Sequence, residues 1–196
     1  MNLKVVVGLL SGLLIVQIIG AIVYFFILPR TTQPLISESN ETIRSIDTSV
    51  PGNGTIKLQS EQNTVSVNGE VSVSVIINTD QRAVEGVDLS LKYDPAFLQP
   101  VIVNQVPFVP GRLFPDVPFN GFDNKIGVAS MSAISSLNQN FSGEGTLSLI
   151  TFKAKKIGTT VIKIQAEKDN TTDTNMVADG TEMLRNTEDL TVTIKP

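Results

Sequence analysis

Cysteine, histidine and tryptophan are all missing from the 196 residues of this chain. Without cysteine there is no disulfide, no thiolate nucleophile, no Cys-ligated metal and no lipid-attachment cysteine. Without histidine the commonest general base and the commonest transition-metal ligand are gone. Without tryptophan the strongest platform for stacking sugars is gone. Positive charge is also short. Fifteen Lys and Arg against nineteen Asp and Glu leave a net charge of −4, whereas nucleic-acid binding wants a basic stripe. No nucleic-acid partner is expected, and no cofactor.

Catalysis is not expected either. Nothing resembles a nucleophile-elbow motif, and no spacing suggests a Ser-Lys pair. Asp88, Asp116, Asp123 and Glu144 could in principle supply a glycosidase pair, but they are scattered along the chain. The stretch DNTTDTN, Asp169 to Asn175, offers oxygen ligands at alternate positions. A calcium loop of the EF-hand type needs glycine sixth and a bidentate acid twelfth. Thr174 and Gly180 stand there instead, so an Asx-rich turn is expected and no metal.

One long hydrophobic run is present. Val5 to Leu28 carries no charge and spans roughly 24 residues, against the ~20 that cross ~30 Å of hydrocarbon. A cleavable leader would have an apolar stretch of only ~7–15 residues and end at a small-x-small site. Here the run ends in the bulky YFFILPR. A retained signal-anchor helix over residues 1–30 is therefore expected, with Tyr24, Phe25 and Phe26 at headgroup level. Lys4 before the run and Arg30 after it, with the amino terminus added to the first side, favour a cytoplasmic N-terminus. That places a single-pass protein in the cell membrane with its C-terminal domain extracellular. Gly8 and Gly12 form a GxxxG pair, a candidate helix-dimer face; ordinary glycine usage in membrane helices explains them as well.

Residues 31–54 show no periodicity, are rich in Ser, Thr, Asn and Pro, and read as a flexible linker. As a coil it would span about 27 Å on average and about 80 Å drawn out. From Thr55 onward, short strand-like runs alternate with turn signals, and no long helical pattern intervenes. The runs are Thr55–Ser60, Thr64–Gly69, Val71–Asn78, Val84–Tyr93, Leu98–Val103, Ile126–Ala133, Thr146–Ala154, Thr159–Ala166 and Leu190–Ile194. They argue for an all-β sandwich over residues 55–196. A proline-rich segment, Val106 to Phe122, interleaves Phe108, Phe114, Phe119 and Phe122 with prolines that forbid a central strand. A crossover tucking its phenylalanines into the sandwich edge is expected there, rather than an exposed aromatic loop. Asn40, Asn53, Asn140 and Asn170 begin N-x-[ST] triplets, which matter only in a glycosylating secretory route.

The clearest strand is GVDLSLKYDPAFL, Gly86 to Leu98. Val87, Leu89, Leu91 and Tyr93 alternate with Asp88, Ser90 and Lys92, a period of two with one dry and one wet face. Asp94-Pro95 ends it. A strand that begins with a small residue and ends in Tyr-Asp-Pro resembles the third strand of cohesin domains, the receptor modules that bind dockerins in bacterial polysaccharide-degrading assemblies. GEGTLSLITFKA, Gly143 to Ala154, is similar to their later Gly-rich turn and strand. The ADGTEML loop, Ala178 to Leu184, with the final strand after it, is similar too. The resemblance covers roughly Thr55 to Pro196. It implies a nine-stranded sandwich of jelly-roll topology and a protein-binding role associated with polysaccharide catabolism.

The resemblance also implies a site. In cohesins an outward Asp before the Tyr contacts dockerin, and Asp88 occupies that place; Ser90 and Lys92 share its face. Ser130 and Ser132 stand where some cohesins carry an acid, and Gly86 where many carry Asn. The chain is thus expected to be a non-catalytic, membrane-tethered module whose partner is dockerin-like. The alternatives are a surface-displayed carbohydrate-binding module and a structural envelope protein assembled through Gly8 and Gly12. Direct polysaccharide binding is disfavoured, because alternation turns Tyr93 inward.

Overall fold

In the computed structural model, which describes residues 52–136, 140–167 and 173–196, alternation translates directly into burial. Val87, Leu89, Leu91 and Tyr93 are at most 2% exposed, each aliphatic one contributing about 1.5–3 kcal/mol by leaving water. Asp88 and Ser90 stay half-buried and Lys92 exposed on the opposite side. The helix expected at Val5–Leu28, most of the linker, Asn40, Asn170 and much of the Asp169–Asn175 stretch lie outside the described residues.

The strands are β1 (Gly54–Gln59), β2 (Thr64–Ser66), β3 (Glu70–Asn78), β4 (Gly86–Lys92), β5 (Leu98–Pro100), β6 (Phe108–Pro110), β7 (Asp116–Asp123), β8 (Val128–Ile134), β9 (Glu144–Ala154), β10 (Gly158–Ile164), β11 (Asn175–Ala178), β12 (Thr181–Glu182), β13 (Leu184–Glu188) and β14 (Leu190–Lys195). Every run anticipated from periodicity is present as a strand. The count of nine is corrected to fourteen among the described residues. The additional ones, β6, β7, β11, β12 and β13, are short or lie in proline-rich or polar stretches, where little alternation can be read.

They form two sheets. One runs β13-β1-β3-β9-β5, with β6 also on β9. The other runs β12-β11-β4-β10-β14-β2, and β8 and then β7 extend it from the other edge of β4. Pairing is antiparallel except where β1 meets β13 and β14 meets β2. A single core joins the sheets: Ile56, Val73, Val75 and Ile77 from one, Leu89, Met131, Ile162 and Val192 from the other. At its centre the Tyr93 ring lies 5.2 Å from Phe152, tilted by 58°, within the range of favourable aromatic pairs.

Local rules explain the ends of the strands. Asp94 Oδ1 accepts the Ala96 amide, and the Asp94 carbonyl accepts Phe97 and Leu98 amides, so the Asp-Pro turn closes on its own backbone. Gly127 has φ +66°, and a Cβ there would sit 2.1 Å from the Tyr93 carbonyl oxygen; only glycine lets the β7–β8 turn approach so closely. In β9 a register shift occurs opposite Val75 and Ile76, so Leu147 and Ser148 are both buried and Leu149 points out. A bulge resets the alternation here.

The expectation for the proline-rich segment is half corrected. Phe108 and Phe114 are 0% and 4% exposed, but Phe119 and Phe122 are 54% and 42% exposed. They sit on β7, an edge strand that tolerates Pro118 because its outer side needs no ladder donor.

Candidate functional site

The wet sides of β4 and β8 lie next to one another. Asp88 pairs with Ser132 and Ser90 with Ser130, and side chains directly opposite across a ladder share a face. The sheet therefore gathers four of the five residues expected at a site: Asp88, Ser90, Ser130 and Ser132. Lys92 lies at the far end of the same face, opposite Val128, and its Nζ donates to the Ile126 carbonyl.

The hydroxyls divide into two groups. Ser130 Oγ donates to Ser90 Oγ at 3.3 Å, and Ser90 Oγ donates to Gln165 Oε1 at 3.1 Å. The Ser90 backbone is held as well: its amide donates to Thr174 Oγ1 at 2.9 Å, and its carbonyl accepts from that hydroxyl and from the Gln165 amide. Ser90 is thus tied into the domain. Asp88 and Ser132 differ. Neither side chain has a hydrogen bond or ion pair among the described residues. A carboxylate with all its acceptor positions open on a half-buried surface can take a charged or polar donor from outside.

Other strands widen the face. Across β8, Phe119 pairs with Ser132 and Gly121 with Ser130; across β4, Asn175, itself buried, pairs with Asp88, and Val177 with Gly86. The Phe119 ring lies along β7, its Cζ 3.1 Å from where a Gly121 Cβ would be. Ile134, opposite Gly86, is 45% exposed, and its Cγ2 is 3.4 Å from a Cβ built on Gly86. The face is therefore low in the middle, where serines and glycines stand, and apolar toward Phe119 and Ile134. Sequence reasoning missed Phe119, Ile134, Asn175 and Gln165. The spacing of Phe119 and Gly121 about Asn120 carries the signal for β7, but the neighbouring prolines masked it.

The acids considered for catalysis are kept apart. Asp116 and Asp123 mark the two ends of β7, Asp88 lies on β4, and Glu144 is on the other sheet, paired with Lys57 Nζ at 3.4 Å. Among the described residues no group of three His, Cys, Asp or Glu converges as a metal site. Shallow concavities of about 330 and 380 Å³ are lined by residues such as Gln62, Glu70 and Ser72 and include none of this face. Tyr93, the tyrosine that could have carried a sugar, is buried, and its hydroxyl donates to Asn124 Oδ1 at 3.1 Å. Burial, with the Asp123 charge adding to it, pushes that phenol up to about 12. It stays neutral and serves the core.

No curated protein matches the chain in sequence. Solved structures do match in shape. A type II cohesin domain from the cellulosome of Acetivibrio cellulolyticus is 22% identical, with a TM-score of 0.58 over 71% of this chain and 95% of that one. The third cohesin of ScaC from the same organism, solved in complex with the ScaB dockerin, is 16% identical, with a TM-score of 0.59 over 73% and 99%. A non-cellulosomal cohesin from the archaeon Archaeoglobus fulgidus is 18% identical, with a TM-score of 0.52 over 74% and 92%. At these identities the likeness is one of fold. The cohesin domain model itself matches residues 54–189, well over half of the sequence, and the chain belongs to the cohesin domain family.

Proposed function

We propose that this chain is a receptor that binds a dockerin module through the outward face of β7, β8 and β4. The observation that carries the reading is the Asp88 carboxylate: half-buried, without a partner among the described residues, in the middle of a flat sheet of small side chains. Recognition there needs no chemistry, and a standard interface would bury about 800 Å² on each side. Support for the choice of partner comes from the structural relatives, among which the ScaC cohesin is bound to a dockerin.

The same proposal gives the N-terminal segment a role. Val5–Leu28 anchors the protein in the cell membrane, residues 31–54 form a tether, and the domain is displayed outside the cell. The link to polysaccharide breakdown is then indirect, through whatever enzyme or scaffold carries the dockerin. The test is isothermal calorimetry of the full chain, in detergent, against a panel of dockerins that includes type I and type II modules. Saturable one-to-one binding by at least one of them is expected; none binding would overturn the proposal. Affinity electrophoresis in soluble polysaccharides is the companion measurement, and clear retardation would point to a carbohydrate-binding module instead.

A further inference from the structure

The turns at the end of the domain toward which β4 runs carry a charge pattern that the dockerin face does not use. The β7–β8 and β9–β10 turns both pack on the β4–β5 turn: a Cβ on Gly127 would sit 2.8 Å from Pro95 Cδ, and Lys155 Nζ donates to the Pro95 carbonyl at 2.7 Å. At the tips of the first two stand Ile126 and Ile157, 57% and 55% exposed, more than any other large hydrophobic side chain among the described residues. Around them Lys92, Lys125, Lys155 and Lys156 are exposed, and none is in an ion pair among the described residues. Lys92 Nζ reaches the Ile126 carbonyl, and Lys156 Nζ lies 5.2 Å from the centre of the Phe97 ring. Lys163 stands directly opposite Lys92 across the ladder, exposed as well, and like charges so placed repel. Asp94 and Asp123, the acids beside these turns, each accept amides of their own turn. At the other end, where the chain enters through Gly54, the exposed acids are Asp80, Glu85 and Asp179, and Arg82 is paired with Asp179 at 3.4 Å.

Mutually repelling cations and bare isoleucines share one place on a chain of net charge −4. An anionic polymer would satisfy the lysines and leave the isoleucines wet; an apolar groove on another protein would do the reverse. A bilayer with anionic headgroups takes both, because apolar tips enter the acyl boundary while lysine ammoniums stay at the level of the phosphates. We propose that this end of the domain rests on an anionic lipid surface, with Ile126 and Ile157 inserted and the lysines on the headgroups. β9 has eleven residues and is about 36 Å long, less than the ~80 Å that residues 31–54 cover when drawn out, so a tether entering at the opposite end permits the contact. The strands then stand upright on the bilayer, and the outward face of β7, β8 and β4 is turned sideways, open to a partner. Nothing in the contact depends on which partner that is.

The chain has no tryptophan, so Ile157→Trp or Ile126→Trp supplies a single fluorescent reporter at a tip, and Thr181→Trp, at an exposed position, supplies one at the tether end. Each variant of the whole 196-residue chain is reconstituted into vesicles of brominated phosphatidylcholine, alone or mixed with phosphatidylglycerol, and circular dichroism checks that it melts with wild type. In the mixed vesicles the tip reporters should be quenched at least twofold by the brominated chains and shifted to the blue, with Thr181→Trp unquenched. Adding Lys125→Glu and Lys156→Glu, or raising the salt from about 0.1 M to about 1 M, should abolish the quenching. Water-like emission from both tip reporters in the mixed vesicles would overturn the proposal, and so would equal quenching in phosphatidylcholine alone. Saturable binding of polyphosphate without quenching in vesicles would assign the lysines to an anionic polymer and overturn it too. Flotation with neutral vesicles reads the N-terminal anchor separately: a chain that floats only with the anionic ones lacks a spanning helix yet keeps this contact.

Discussion

Asp88 shows how one residue changes meaning with its surroundings. In the sequence it is a polar position on an alternating strand, indistinguishable from any solvated acid. On the sheet it is the open carboxylate among small neighbours. Replacing it with alanine should weaken dockerin binding by about 2–5 kcal/mol, the cost of truncating a desolvated charged contact, read by calorimetry; a loss below about half a kcal/mol would deny it that role. Tyr93 makes the opposite case. Its inward direction was legible from the period of two, but the Asn124 bond was not, because it links residues far apart in sequence. Tyr93→Phe should cost about 0.5–1.5 kcal/mol in denaturant unfolding. The phenol is raised in the folded protein, so the stability it contributes is complete below the unfolded value near 10 and is lost as pH rises toward about 12. The Phe variant should lose less stability across that window than wild type does.

At the scale of the element, bulges and turns decide which side a residue takes. Simple alternation through TLSLITF would put Leu147 and Leu149 on one side, yet the shift in β9 turns Leu149 out and Ile150 in. Ile150→Ala should therefore destabilise by about 2–5 kcal/mol, whereas Leu149→Lys should stay within about 0.5 kcal/mol. Urea unfolding of both variants checks the phase of the strand. Gly127→Ala forces a side chain into a left-handed turn and against the Tyr93 carbonyl. It should cost more than about 1 kcal/mol, the least expected for the backbone conformation alone, and should show as a lower urea midpoint. β7 is the element that periodicity did not reveal. Prolines discouraged a strand assignment there, and an edge strand is the one place in a sheet where they fit.

For the molecule as a whole, the proposed anchor and the binding face belong to different parts of the chain and can be tested apart. The chain expressed with residues 1–30 in place should sediment with membranes and resist carbonate extraction. Removal of residues 1–30 should move it to the soluble fraction without changing dockerin affinity by more than about twofold, since the face lies wholly within the described domain. Release of the chain that retains residues 1–30 by carbonate would argue against a spanning helix. Neutralising Asp88 should act mainly by speeding dissociation, read by surface plasmon resonance, because a desolvated charged contact in the middle of an interface holds the complex together rather than steering its encounter.

Period-two alternation in the sequence was enough by itself to specify an all-β domain and the interior and wet residues of β4, since burial in a sheet depends on a repeat that neighbouring residues carry themselves. The Tyr-Asp-Pro strand and its companions pointed to the family for the same reason: they are local. Which wet residues meet was a matter of register between strands some forty positions apart, and of edge pairing through a proline-rich stretch. Only the folded sheet set Phe119 beside Ser132 and Asp88, because contacts between distant segments are chosen by the packing of the whole core rather than by any one strand.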